Sequence, residues 1–156
     1  MNANEHRWDL NEITERVIGC AYSVSNALGC GFLEKVYENA LAHDLLKAGV
    51  RVAQQWQIHV RYDGVVVGDY VADLLVENAV IVEVKCCKAF DDVHAAQCLN
   101  YLKATNLNVC LLINFGRPRV QIKRIVRDYV PPAGAESNDP SGSARFDDGI
   151  HNLHSE

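Results

Sequence analysis

The 156-residue chain has little of what marks membrane, secreted or zinc-binding proteins. No apolar run approaches the roughly 18–20 residues needed to cross a bilayer, and the opening MNANEHRWDLNE is too polar for a secretory signal. Six cysteines are present (Cys20, Cys30, Cys86, Cys87, Cys98 and Cys110). None makes a Cys-x-x-Cys pair or a Cys/His spacing suited to zinc. Adjacent Cys86 and Cys87 point to opposite faces of any strand that carries them, so they do not bridge. The expected class is a soluble, cytoplasmic protein without a membrane partner, its thiols serving as small buried hydrophobes. No internal repeat is visible.

Positive charge is also short. A net charge of −5 argues against a nucleic-acid binder until it is divided along the chain. Residues 131–156 carry −4 and residues 1–10 carry −1, which leaves residues 11–130 neutral. Within that neutral segment Arg117, Arg119, Lys123, Arg124 and Arg127 form a basic stretch able to follow a phosphate backbone. A solvated edge strand, protected from aggregation by charge, is the competing reading. The stretch from Pro131 is rich in Pro, Gly, Ser and Asp and lacks apolar periodicity. The expected organisation is a flexible N-terminus over 1–10, one domain over 11–130 and a disordered acidic tail over 131–156.

Within the domain the hydrophobic period assigns the elements. Leu10, Ile13, Val17, Ala21, Val24 and Leu28 recur at helical spacing up to Gly29-Cys30-Gly31. A second helix is expected over 33–48, with Gly49 in the left-handed conformation that ends many helices. From Val50 the period becomes two: Val50, Val52, Trp56, Ile58 and Val60 alternate with polar residues as far as the Asp63-Gly64 turn. Residues 65–76 read as a second strand, kinked or bulged at Gly68, and Val80 to Lys85 as a third. Asp92 is placed to cap a third helix over 93–104, with Ala95, Cys98, Leu99 and Leu102 packing inward. The apolar run LNVCLLINF over 107–115 suits a central strand, and 119–126 alternates again. This order predicts an α/β fold with a mixed sheet of about five strands flanked by helices.

The second and third strands bring acids together. If Glu77-Asn78-Ala79 is a three-residue turn, Val76 faces Val80 and Asp73 faces Glu83. Facing Cβ atoms lie about 4.5–5.5 Å apart, within reach of one cation. Lys85 emerges on the same face as Glu83, whereas a two-residue turn would put Asp73 and Glu83 on opposite faces. Two buried carboxylates so placed repel one another, and a bound divalent cation removes the conflict. A structural salt bridge from Lys85 to Asp73 or Glu83 is the competing explanation.

Three motifs now stand in order: Gly31-Phe32-Leu33-Glu34-Lys35-Val36-Tyr37, then Asp73 with Glu83-Val84-Lys85, then Gln97-x-x-x-Tyr101. Together they resemble the PD-(D/E)xK nuclease superfamily, which has a restriction-endonuclease-like core, and within it the GxxExxY proteins. The resemblance covers residues 11–127. One departure is Ala72 in place of the proline before Asp73, a residue that carries no chemistry. The resemblance implies a nuclease that hydrolyses phosphodiester bonds in nucleic acid, DNA being the expected polymer, with Mg²⁺ or Mn²⁺ as cofactor.

By the same resemblance Asp73, Glu83, the Val84 carbonyl and Glu34 would hold the metal, with Glu38 as the alternate to Glu34. Lys85 would orient the attacking water or steady transition-state charge. Gln97 and Tyr101 would position phosphate or base near the metal; apart from the resemblance, the basic residues Arg117, Arg119, Lys123 and Arg124 are the candidates for contact with the nucleic-acid backbone. Plain alternatives exist for each. Glu34 suits a first-turn acid favoured by the helix dipole, Tyr37 a core residue, Gly31 a backbone turn, and His94 a solvent-facing helix position. Trp8 and Trp56 read as packing residues. Two other functional classes compete: a non-catalytic nucleic-acid-binding module, and a subunit that needs a protein partner or a second copy of itself.

Overall fold

The computed structural model describes residues 7–127. The predicted acidic tail and the first six residues lie outside them. Helix α1 spans Leu10–Leu28 and α2 spans Glu34–Lys47. Strands β1 (Val52–Tyr62), β2 (Val65–Val76) and β3 (Val80–Lys85) follow, then helix α3 (Asp92–Thr105) and strands β4 (Val109–Asn114) and β5 (Gln121–Val126).

Local chemistry explains the ends of these elements. Asp9 and Glu12 form a reciprocal capping box at the start of α1, and Gly29, at φ +68°, ends it. Asp9 and Leu10 of the N-terminal segment thus form the cap and first position of α1. Arg16 also lies over the Trp8 ring at 5.4 Å. Gly49 takes the expected left-handed backbone at φ +80°. The cap of α3 is Asp91 rather than Asp92: the Asp91 carboxylate accepts from the Val93 and His94 amides, while His94 Nδ1 accepts from the Asp91 amide. His94 is thus engaged in the cap. Leu99, expected to pack inward, is exposed; Cys98, Tyr101 and Leu102 form the buried face of α3.

The five strands lie in the order β1-β2-β3-β4-β5, with β3 and β4 parallel and the other neighbours antiparallel. One face of the sheet packs on α1 and α2 through Val17, Leu41, Leu45, Val82, Leu111 and Ile113. The other packs on α3 through Ile81, Cys98, Leu102, Cys110 and Leu112. Lying between the two layers, β4 is buried throughout and reads as an almost continuous apolar run, and β3 is buried up to Val84, its apolar run broken by Glu83. The three-residue turn is present: Val76 pairs with Val80 and Leu74 with Val82. A bulge sits beside Gly68, where Val60 pairs with Gly68 but Arg61 pairs with Val66.

Candidate active site

The β2–β3 ladder stops one pair short of the acids. It runs from Val76↔Val80 to Leu74↔Val82, and at the next level side chains replace backbone partners. Glu83 Oε1 accepts from the Asp73 amide at 3.0 Å, and Asp73 Oδ2 accepts from the Val84 amide at 2.8 Å. The expected register is correct, but the carboxylates stand in a fork between separating strands rather than on a paired ladder.

Burial in this fork makes the negative charges costly. Glu83 is only 4 % exposed, and its carboxyl is pushed up to about 8, first by loss of water and then by the charge of Asp73. Asp73 is raised as well, chiefly by burial, with the nearby Glu38 charge adding to it. Lys85 lowers both but less strongly. Among the described residues no carboxylate lies within ion-pair distance of Lys85, so the salt-bridge explanation of the trio is not what the fold adopts.

The second helix supplies two further acids with different surroundings. Glu34, on the first turn of α2, is exposed and accepts from the Cys86 amide through Oε1 at 3.3 Å, which brings it to the end of β3 just past Lys85. Glu38 is buried and accepts from Lys35 Nζ at 2.9 Å, Gln54 Nε2 at 2.7 Å and Gln55 Nε2 at 2.6 Å. With its oxygens so occupied, Glu38 is the poorer ligand of the two, which favours Glu34.

A short chain of contacts holds the loop that carries Glu34. Tyr37 is fully buried, donates from its hydroxyl to the Gly29 carbonyl at 2.6 Å and accepts from the Phe32 amide at 3.2 Å. Its ring stacks on Phe115 with centroids 4.7 Å apart. Phe115 in turn donates its amide to the Lys85 carbonyl at 2.8 Å. Gly31 stands at φ +120° in that loop. The outer residues of the first motif thus serve backbone geometry and packing.

A buckle made by Asn114 closes the loop after Lys85. Its side chain accepts from the Cys87 and Gly116 amides at 3.0 and 2.9 Å and donates to the Cys87 carbonyl at 2.8 Å. Sequence reasoning missed this residue. Its signal was one amide in an otherwise apolar run, LNVCLLINF.

The remaining expected residues fall into two groups. Tyr101 is buried, donates to the Val71 carbonyl at 3.2 Å, and is raised by burial and by the charges of Glu83 and Asp73. It stands beside the fork, but its hydroxyl secures β2. Gln97, half-buried on α3, hydrogen-bonds no other described side chain. Arg117 and Arg119 are exposed in the loop between β4 and β5, at the Lys85 end of the sheet, since Lys85 pairs with Asn114. Lys123 and Arg124 pair with Leu112 and Leu111, which pack in the two opposite cores. The basic stretch is therefore split between two faces and does not form one continuous track.

An oxygen-only donor set suits a hard divalent cation. Asp73 and Glu83 each keep an oxygen that bonds no backbone amide, and a cation between them would offset the burial that raises both and the Asp73 charge that further raises Glu83. Among the described residues, no three His, Cys, Asp or Glu side chains already converge on one point. The arrangement is a two-carboxylate core with Glu34 at its edge. The Val84 side chain is core, and its amide serves Asp73.

This fold and fork match a known class. The family model of the PD-(D/E)XK nuclease superfamily matches residues 11–125, and the chain belongs to that superfamily. No curated protein matches it. Among solved structures it is similar to one titled as the crystal structure of SSO0001, at 17% identity over 77% of this chain and 60% of that one, with TM-score 0.46. It is also similar to an alkaline exonuclease from Laribacter hongkongensis, at 15% identity over 74% of this chain and 81% of that one, with TM-score 0.43.

Proposed function

We propose that this chain is a metal-dependent nuclease that hydrolyses phosphodiester bonds in nucleic acid, with DNA as the expected substrate and Mg²⁺ or Mn²⁺ as the cation. The observation that carries this reading is the fork itself. Glu83 is buried and Asp73 half-buried beside it, and among the described residues neither these two acids nor Lys85 makes an ion pair.

Asp73 and Glu83 would hold the metal, with Glu34 and the Val84 carbonyl as further oxygen donors. Bound there, the metal would supply Lewis-acid polarisation of the phosphate and lower the pKa of the attacking water. Lys85 would donate to that water or to a phosphate oxygen, adding positive charge where negative charge develops. Gln97 has a free amide for a phosphate or base, and Arg117 and Arg119 would engage the backbone on the Lys85 side. Lys123 and Arg124 lie on opposite faces, so any one face of the sheet gains only one of them.

The test is incubation of purified protein with linear and circular DNA, and in parallel with RNA, in Mg²⁺, Mn²⁺ or chelator. Cleavage that needs metal and disappears in Asp73→Asn and Lys85→Ala is expected. Cutting that persists in both variants would remove these residues from the chemistry.

A second reading, in which activity needs a partner or a second copy of the chain, is favoured by one observation. Val65, Val66, Val67, Tyr70 and Val71 are all exposed on the far half of β2, more apolar surface than one strand normally shows to water. Sedimentation of the purified protein distinguishes the cases: a monomer that cuts DNA unaided would exclude this requirement.

A further inference from the structure

We propose that Gln55 is a positioning residue for Asp73, its backbone held in the left-handed conformation so that one side-chain amide spans the carboxylates of Glu38 and Asp73. This role rests on the metal-site reading above.

The backbone is the first sign. Five non-glycine residues among those described have positive φ: Gln55, Asp63, Glu77, Asn78 and Asn106. Asp63, Glu77 and Asn78 sit in the two hairpin turns, and Asn106 caps α3. Gln55, at φ +52°, stands inside a strand. Glutamine lacks the short side chain that lets Asn and Asp tolerate this region. Such an outlier persists where its surroundings hold it, and such places cluster at functional sites.

The sheet changes sides at the same level. Along β1, Val52 packs with the α1/α2 core, but Trp56 and Ile58 pack with the α3 core. Along β2, Leu74 and Val76 belong to the first core and Ala72 to the second. Even-numbered residues on one regular strand would share a face. Both strands therefore exchange faces between Gln54↔Leu74 and Trp56↔Ala72, the pairs that flank Gln55 and Asp73, while their pairing register is unchanged. In the sequence the only trace is Gln54, a polar residue at a position where the alternation would place an apolar one.

The side chain then has a defined task. Gln55 Nε2 donates to Glu38 Oε1 at 2.6 Å and reaches Asp73 Oδ1 at 3.4 Å. Glu38 is a fixed anchor, 3 % exposed and held also by Lys35 and Gln54. Asp73 Oδ2 is already held by the Val84 amide. Gln55 is the donor on the other oxygen, so the two together set the plane of the carboxylate. Donors behind a ligand orient it for the metal and are costly to lose.

Gln55→Gly separates positioning from folding. Glycine adopts positive φ without steric cost, which offsets part of the cost of leaving the buried Glu38 Oε1 without its donor, so this variant should still fold and melt cooperatively in the absence of metal. Its Mn²⁺ affinity, read from the electron paramagnetic resonance of free Mn²⁺, should fall by ~10–100-fold, with DNA cleavage at limiting Mn²⁺ falling alongside. Gln55→Asn tolerates the same backbone but shortens the amide by one methylene, and it should weaken Mn²⁺ binding too. If either variant folds and binds Mn²⁺ as tightly as wild type, Gln55 has no positioning role. Wild-type protein that binds no Mn²⁺ would instead overturn the metal site, and this role with it.

Discussion

The Asp73 amide donates to Glu83 Oε1 while the Val84 amide donates to Asp73 Oδ2, at 3.0 and 2.8 Å. Each acid thereby completes the backbone bonding of the other's strand at the level where the ladder ends. The same exchange holds a buried and a half-buried carboxylate at the same level of the sheet.

Removing one of the two charges relieves repulsion. In metal-free protein Asp73→Asn and Glu83→Gln should melt within a few degrees of wild type or above it, because an amide oxygen still accepts the backbone N–H. Both should lose the stabilisation that Mn²⁺ gives wild type, which for a ligand at 100 times its Kd is about 2.7 kcal/mol. Thermal denaturation with and without Mn²⁺ checks this. A variant that kept the full metal shift would exclude that residue as a ligand.

The raised Glu83 carboxyl fixes a pH dependence. Its folded pKa of about 8 lies above the ordinary value of 4.5, so between these limits the folded state binds the extra proton. Stability of the metal-free protein should therefore fall as pH rises from about 5 to 8 through this group. Metal binding must expel that proton, so Mn²⁺ affinity should rise over the same range and level off above pH 8. Calorimetric titration at several pH values, in buffers of different ionisation enthalpy, would detect the released proton. Affinity that fell with rising pH would contradict the assignment.

Gly116 is required by its neighbours. A Cβ there would stand 2.5 Å from the Cys87 nitrogen and 2.7 Å from the Cys87 carbonyl oxygen, atoms that Asn114 holds in place. Gly116→Ala should cost about 1–3 kcal/mol and disturb the loop just past Lys85. Gly19→Ala is the control, since nothing lies within 4 Å of that position and it is on the exposed side of α1. Chemical denaturation compares the two.

Tyr37→Phe should lower activity less than it lowers stability. The hydroxyl satisfies the Gly29 carbonyl and the Phe32 amide, so its loss should cost about 1–3 kcal/mol while the stack on Phe115 is kept. If Tyr37 acted in the chemistry, a well-folded Tyr37→Phe at low temperature would be inactive.

Much of this architecture could be read from residue order because local signals agreed with the fold. The capping residues, the period change at Val50, the Asp63-Gly64 turn and the buried run of β4 each have a local cause. The three-residue turn at Glu77-Asn78-Ala79 set the register that brings Asp73 to Glu83. Features that depend on long-range contacts were less visible. Asp91 and Asp92 are equally good caps on paper, and their geometry decides for Asp91. Leu99 fits an inward position by spacing, but Tyr101 takes the space beneath α3. The role of Glu38 depends on Gln54 and Gln55 in a strand that starts only after α2 has ended. The split of Lys123 and Arg124 follows from alternation alone and could have been seen in advance.

Anomalous diffraction from crystals of the wild-type protein soaked in Mn²⁺ tests the central claim most directly. The fork predicts a Mn²⁺ peak between Asp73 and Glu83, with carboxylate oxygens at roughly 2.0–2.3 Å, and no such peak in Asp73→Asn crystals grown alike. An Asp73–Glu83 fork that stays empty at millimolar Mn²⁺, with the ion absent or bound elsewhere, would contradict it.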